Sequence, residues 1–171
     1  MHAVLQRLSG GDRRSIGESN RVADMARAQP ELITVLIEGL ESADPVLRMR
    51  CADVMEKATA DRPESLAPYK KKLLELSRIE QHEVRWHVAP MLVRLPLSET
   101  EEVFVMNTLL AWTNDASSIV KTMAMQALAD LALRNRKRLP EIERHIKELT
   151  AIGTPAMSAR GRKLLAKLGK A

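Results

Sequence analysis

The stretch DPVLRMRCADVMEKA, residues 44–58, recurs in altered form along the chain. Its counterparts are HEVRWHVAPMLVRL at 82–95, SSIVKTMAMQALADLAL at 117–133 and TPAMSARGRKLLAKL at 154–168. Alignment of the four copies places Leu47 over Val84, Val120 and Met157, at spacings of 37, 36 and 37 residues. In the first copy the apolar positions 47, 51, 54, 55 and 58 form the one-sided stripe of an amphipathic α-helix. A period near 37 residues therefore predicts a repeat protein built from helical units.

A second helical segment precedes each copy. These segments are PELITVLIEGLES from Pro30, SLAPYKKKLLELS from Ser65, SETEEVFVMNTLLAWT from Ser98 and LPEIERHIKELTAIG from Leu139. SETE has the form of a capping box, and Asp44 and Ser117 supply side-chain oxygens of the kind that cap helices. The alternating pattern of β-strands is not evident in the sequence. The chain is therefore predicted to be all-α and composed of helix pairs, each of which covers the apolar face of its neighbour.

The repeats resemble the HEAT family, whose pattern is an acidic turn followed by a Val-Arg step that opens the second helix. The matching residues are Asp44, Leu47 and Arg48, then Val84 and Arg85, then Asp115, Val120 and Lys121. The last repeat departs from the pattern at Gly153 and Ser158. The resemblance implies a right-handed α-α superhelix (a HEAT/ARM-like solenoid) of about four to five helix pairs. We expect a single domain, with a degenerate N-terminal cap pair at 1–29 and repeats at 30–63, 64–96, 97–135 and 136–171.

The composition is that of a helical protein with an aliphatic core. The 171 residues include two tryptophans, one tyrosine and one phenylalanine, so Leu, Ile, Val, Met and Ala must fill the interior. Cys51 is the one cysteine, which rules out an internal disulfide and fits a reducing compartment. Neither a signal-peptide pattern nor a run long enough to span a membrane is present in the sequence. We expect a cytoplasmic protein without a membrane partner.

Trp86 is the residue that most strongly suggests a binding surface. On a helical wheel it lies with Pro90 and Val93, opposite the predicted buried stripe of residues 82–95. In HEAT-like stacks the second helices line the concave side, so the resemblance places Trp86 in a groove. We predict a protein or peptide partner that contacts Trp86, its neighbour His87 and the positions equivalent by register, which are Met49, Asp53, Thr122 and Gln126. The alternative is that Trp86 folds over a neighbouring helix while Pro90 only adjusts the curvature of the stack.

The remaining polar positions suggest structural roles. Repeated basic residues at Arg48, Arg85 and Lys121 are expected to pair with acids of the inter-helix turns, namely Asp44, Glu80 or Glu83, and Asp115. Trp112 aligns with Leu76 and Leu149 and is predicted to lie in the core.

Signals for catalysis are lacking in the sequence. Four histidines and one cysteine do not have the spacing of zinc ligands, and GGDRRSIG from Gly10 lacks the features of a phosphate-binding loop. We read it as a turn into a helix. We therefore expect a protein that is not an enzyme and that needs neither a cofactor nor a metal.

A nucleic-acid ligand is the alternative function. From Arg134 to Ala171 the chain has eleven Lys or Arg residues against three Glu, so its net charge of +5 belongs to the C-terminal end. On this alternative the phosphate contacts are Arg160, Arg162, Lys163 and Lys167. The HEAT-like resemblance adds a variant of this alternative, since alkylpurine DNA glycosylases have a similar architecture; it implies that Trp86 and Asp53 would handle a damaged base.

Overall fold

The computed structural model describes residues 1–12 and 14–170. Their regular structure is helical throughout and comprises ten α-helices and two short 3₁₀ segments, at Pro63–Tyr69 and Arg136–Arg138. The α-helices are α1 Ala3–Leu8, α2 Ser19–Ala28, α3 Leu32–Gly39, α4 Pro45–Ala58, α5 Lys70–Leu76, α6 His82–Arg94, α7 Glu99–Trp112, α8 Ser118–Arg134, α9 Leu139–Ile152 and α10 Pro155–Leu168.

Consecutive helices pack as pairs. The pairs are α1 with α2, α3 with α4, α5 and its preceding 3₁₀ segment with α6, α7 with α8, and α9 with α10. The predicted all-α fold of about four to five helix pairs is confirmed.

Two of the five second helices, α4 and α8, begin at the capping residue that the sequence indicates. Asp44 accepts a hydrogen bond from the Val46 amide at 2.9 Å, and Ser117 accepts one from Val120 at 3.4 Å. The predicted capping box before α7 is formed, since Ser98 and Glu101 exchange hydrogen bonds of 3.3 and 2.7 Å. These caps satisfy amides that have no partner inside a helix, and so they fix where each pair turns.

The backbone divides into two compact units, Met1–Pro96 and Leu97–Ala171. The first unit contains three helix pairs and the second contains two. In the part of the chain that the structure describes, none of the helices is both long and apolar enough to pass through a lipid bilayer.

In the first unit α4 is the central helix. It contacts α1, α2, α3 and α6, and nine of its residues are buried, including Cys51. The charged side chain of Arg50 is among them, with 4% of its surface exposed. Its guanidinium donates to the carbonyls of Leu8, Gly10, Asp12 and Ser15, at 2.9, 2.6, 3.4 and 3.1 Å. One arginine thus ties the connection between α1 and α2 to the second helix pair.

The glycines of this connection make room for that arginine. Gly11 and Gly17 have φ angles of +77° and +53°, which favour glycine, and a Cβ on either would lie 3.0 Å from the guanidinium of Arg50. The described residues of GGDRRSIG, 10–12 and 14–17, form bends and turns, as predicted, and they surround a buried cation.

In the second unit α8 is the central helix and contacts α7, α9 and α10. Its alanines, together with Val120, Met125, Leu128 and Leu131, are buried. Trp112 is 5% exposed, which confirms its predicted core position. At Gly161 helices α9 and α10 approach closely, because a Cβ there would lie 1.9 Å from the Thr150 hydroxyl oxygen.

Candidate functional site

The prediction that Met49 and Asp53 lie on an exposed ridge is wrong. Met49 is 4% exposed and Asp53 is 3% exposed. The reason is that α4 is covered on both flanks, by α2 and by α6, whereas the helical-wheel argument assumed that one face remains open. Neither side chain is available as the primary contact of a partner.

Pro90 and Val93, predicted to lie beside Trp86 on an open face, are also buried. Helix α6 continues through Pro90 and packs against α4, against α5 and against the 3₁₀ segment before α5. Trp86 and His87 are half-buried, and their rings meet edge to face with centroids 5.8 Å apart. Part of the indole therefore rests on the protein, as in the alternative reading, and part faces solvent.

Asp53 belongs to a polar cluster of Asn20, Asp53, Lys57 and His87, which we call the Asp53 cluster. The Lys57 Nζ donates to Asp53 Oδ2 at 2.7 Å and to Asn20 Oδ1 at 2.8 Å. The His87 Nδ1 lies 3.8 Å from Asp53 Oδ1, too far for a hydrogen bond. The cluster connects α2, α4 and α6, and it provides the buried carboxylate with a cation. Its geometry is that of a structural connection between neighbouring helices.

Burial lowers the pKa of His87 below its usual value of 6.5, while the charges of Asp53 and Glu56 oppose that shift. The neutral imidazole is therefore the form that the fold accommodates. Burial likewise raises the pKa of the Cys51 thiol to about 12, which makes that sulfur unreactive.

The predicted pairing of repeated basic residues with acids of the inter-helix turns is not formed at Arg48. Its guanidinium donates to the Ser42 and Ala43 carbonyls at 2.7 and 3.1 Å, and to the Gln81 side-chain oxygen at 2.8 Å. Asp44, the acid predicted to pair with it, instead caps α4. The role of Arg48 is structural, as predicted, but its partners are carbonyls and an amide.

In the second unit, α8 and α10 enclose a surface cleft of about 330 Å³. It is lined by Thr122, Ala156, Ala159, Arg160 and Lys163, and we call it the α8–α10 cleft. Thr122 was predicted to be a contact residue, and Arg160 and Lys163 were predicted for the nucleic-acid alternative. The structure brings these three residues together around one opening.

A row of hydrogen bonds and ion pairs continues from the cleft along the two helices. The Arg160 Nη1 donates to Gln126 Oε1 at 3.0 Å, and the Gln126 Nε2 donates to both oxygens of Asp130 at 3.1 Å. Lys167 pairs with Asp130 at 3.1 Å. Gln126, predicted as a contact residue, therefore uses its amide to hold Arg160 in place.

The four predicted phosphate contacts do not share one face. Arg160, Lys163 and Lys167 follow the spacing of three and four residues that places side chains on one side of a helix. Arg162 is two residues from Arg160, about 200° around the helix. Two of the four cations, Arg160 and Lys163, line the cleft. Lys167 is already paired with Asp130.

Ala159 is equivalent to Trp86 by repeat register, but neither it nor Ala156 was predicted to be a contact residue. They matter because their small side chains leave the cleft open, and an exposed alanine carries no sequence signal of such a role. Arg50 was also missed, although a cation within an apolar helical stripe is a detectable anomaly. Within residues 1–12 and 14–170 no group of three or more His, Cys, Asp or Glu side chains is arranged to hold a metal ion.

Comparison with known proteins supports the fold. No protein-family model matches the chain, and no curated protein matches it significantly. The crystal structure of an engineered protein is similar, with a TM-score of 0.63 and 16% sequence identity over 98% of this chain and 78% of that one. A designed armadillo repeat protein gives a TM-score of 0.41 and 14% identity, over 96% of this chain and 98% of that one. The first likeness concerns the fold alone, and the second does not by itself establish a shared fold.

Proposed function

We propose that this protein is a non-enzymatic helical-repeat scaffold that binds a protein or peptide partner on the surface of its second helices. The observation that carries the proposal is the α8–α10 cleft, an open site of about 330 Å³ lined by Arg160 and Lys163. Stacked helix pairs provide extended surfaces of this kind, and the HEAT-like pattern of the sequence favours the same use.

The surroundings of the cleft suit a protein partner. Ile119, on α8 within one turn of Thr122, is 50% exposed, so an apolar side chain is offered one turn from a residue that lines the cleft. A combination of apolar and charged groups is typical of surfaces that recognise proteins. The Asp53 cluster, by contrast, supports the proposal that the protein is not an enzyme, because Asp53 is bonded to Lys57 and serves the packing of α4.

In the first unit Trp86 remains the proposed contact. Trp86 is partly exposed, and its indole is the kind of large, rigid group that is enriched at interface hot spots. A Trp86→Ala variant is expected to retain its fold and to lose part of the partner binding. Unchanged stability together with unchanged partner binding would remove Trp86 from the proposal.

The test is affinity capture from native cell extract with the full chain as bait. Ala159→Trp fills the cleft without altering its charge, and Ala166→Trp places the same side chain at an exposed position of α10 outside the cleft. We expect a protein that is captured by the wild-type chain and by Ala166→Trp, is lost with Ala159→Trp, and is still captured after nuclease treatment. Equal capture by both variants would refute the proposed surface.

Nucleic-acid binding is the second candidate, because α10 carries Arg160, Arg162, Lys163 and Lys167 and has no acidic residue. Binding of this kind loses affinity steeply as salt rises, through release of counterions. It is tested by titrating the full chain with duplex and single-stranded DNA and with RNA at low and at physiological salt. The absence of binding at low salt eliminates this candidate.

A further inference from the structure

We propose that the α8–α10 cleft is a subsite for a carboxylate side chain of an acidic peptide segment, with the neighbouring apolar side chain of that segment resting on Ile119. This inference rests on the proposed function and specifies the chemistry of the partner. It follows from the unpaired positive charges of Arg160 and Lys163, from the space that the alanine walls leave open, and from the exposed Ile119 one turn from Thr122.

Arg160 is oriented without being neutralised. A guanidinium has five N–H donors, and one of them is used, toward the side-chain oxygen of Gln126. That oxygen is fixed in direction, because the amide nitrogen of Gln126 donates to the carboxylate of Asp130, which can only accept. The side chain is therefore held by a neutral group, and its positive charge remains available to an incoming anion. Such an arrangement suits the bidentate binding of a carboxylate.

Lys163 adds a second positive charge at the same opening. It is three residues from Arg160 on α10, so the two side chains emerge from one side of the helix. Among the residues that the structure describes, neither Arg160 nor Lys163 forms an ion pair with an acid, whereas Lys167 is paired with Asp130. The cleft thus concentrates two cations that no acid of the described residues neutralises by an ion pair.

The walls of the cleft admit a side chain and offer few competing groups. Ala156 and Ala159 end at Cβ, and they leave the space between α8 and α10 unfilled. The hydroxyl of Thr122 donates back to the carbonyls of Ser118 and Ile119, at 3.1 and 3.0 Å. The donors directed at a ligand are therefore the N–H groups of Arg160 and Lys163. A carboxylate on a short aliphatic stem matches both the space and the donors.

The surroundings favour an acidic peptide over a nucleic acid. Aromatic side chains, on which bases stack, are not among the residues that line the cleft. Asp130 lies one turn beyond Gln126 in the same row and is already paired with Lys167, so a phosphate backbone that followed the row would meet an ion pair and not a free cation. A single side-chain carboxylate needs only Arg160 and Lys163. The exposed Ile119 then provides contact for an apolar residue beside the acid.

The experiment is a selection of random-sequence peptides on the full chain, followed by affinity measurements on the selected peptides. The test variants are Lys163→Gln and the double variant Arg160→Gln/Lys163→Gln. The matched control is Arg162→Gln/Lys170→Gln, which removes the same charge from exposed positions of the C-terminal region that do not line the cleft. Thermal unfolding of each variant confirms that it is folded, and Lys163, being exposed, can be replaced without disturbing the packing.

We expect the selected peptides to contain Asp or Glu next to an aliphatic residue. The double variant should weaken their binding by about tenfold or more, and the control variant by about twofold or less. Replacing the peptide acid by its amide should cause a similar loss in the wild-type chain and little further loss in the double variant, because the two changes remove the same contact.

The contrary outcomes are distinguishable. In the first, the selected peptides lack an acid, Ala159→Trp abolishes their binding and the double variant does not weaken it. This outcome overturns the inference and leaves the proposed function standing. A selection that yields no binding peptide, together with loss of every captured protein after nuclease treatment, overturns both. Binding of DNA or RNA that the double variant and the control weaken equally assigns the charge to non-specific phosphate contacts and refutes the subsite.

Discussion

Replacing Arg50 by alanine should destabilise the first unit by about 3 kcal/mol. The side chain is 4% exposed and makes four hydrogen bonds to carbonyl oxygens. The carbonyls of Gly10, Asp12 and Ser15 belong to exposed residues and can bind water when the guanidinium is removed. Loss of the hydrogen bonds to these three carbonyls therefore costs little. The bond to Leu8 is buried, and an unsatisfied buried acceptor costs about 1–3 kcal/mol. The space left by the deleted side chain adds a further cost of similar size.

Two matched variants separate these effects. Arg50→Lys keeps the charge but replaces a planar fork of donors by a single ammonium, and its loss should be intermediate. Arg48→Ala, on the same helix, removes three hydrogen bonds, two partly buried and one exposed, and should cost about 1 kcal/mol or less.

Urea-induced unfolding gives the free energies, and hydrogen exchange gives the local effect. The amides of Arg14, Ser15 and Gly17, which are bonded within the turn, should exchange faster in Arg50→Ala than in Arg48→Ala. If Arg50→Ala and Arg48→Ala are equally stable, or if exchange in the turn is unchanged, then the turn is not held by Arg50 and the reasoning fails.

Three further predictions concern single side chains. Gly161→Ala should destabilise the second unit by about 1–3 kcal/mol because the added Cβ meets the Thr150 hydroxyl. Combining it with Thr150→Ala should recover part of that loss. Additive losses of the free energy of unfolding in denaturant would contradict the close approach. The pKa of His87 is lowered in the folded state, so the unfolded state binds more protons just below pH 6.5 and stability should fall as the pH drops through that value. His87→Gln should reduce the difference between urea midpoints at pH 7.5 and at about pH 5.5, and an unchanged difference would exclude His87 as its source. Since burial raises the pKa of Cys51 to about 12, the thiol should resist iodoacetamide at neutral pH until denaturant is added; prompt labelling of the native chain would refute its burial.

The helix pairs could be predicted because periodicity and capping are local. Ser98 with Glu101 forms its box, and Trp112 occupies the core position that its alignment with two leucines indicates. Both features depend on residues close in sequence or on the repeat register, and a single sequence contains that information.

The exposed face of each helix was harder to predict. A helical wheel assigns one buried and one open side, which suits a helix with neighbours on one side. Helix α4 has neighbours on both flanks, so Met49 and Asp53 are buried although they lie opposite the apolar stripe. The number of neighbours around a helix is a property of the tertiary structure.

The cleft could not have been found from the sequence for a related reason. Arg160 and Lys163 were recognised as basic, but the cleft depends on the absence of large side chains at Ala156 and Ala159, which face α8 across the space. The orientation of Arg160 depends on Gln126, which is 34 residues away in sequence. A contact over that distance is set by how the two pairs stack.

The glycines at the helix crossings limit how the pairs could be recombined. In the pair α3–α4 the glycine is on the first helix, where Gly39 faces Cys51, and in α9–α10 it is on the second, where Gly161 faces Thr150. Exchanging one helix between these pairs would bring together either the side chains of Cys51 and Thr150 or two glycines at the crossing. Modules transplanted from this protein into a longer array should therefore be whole hairpins, since the complementarity resides in the hairpin and not in either helix.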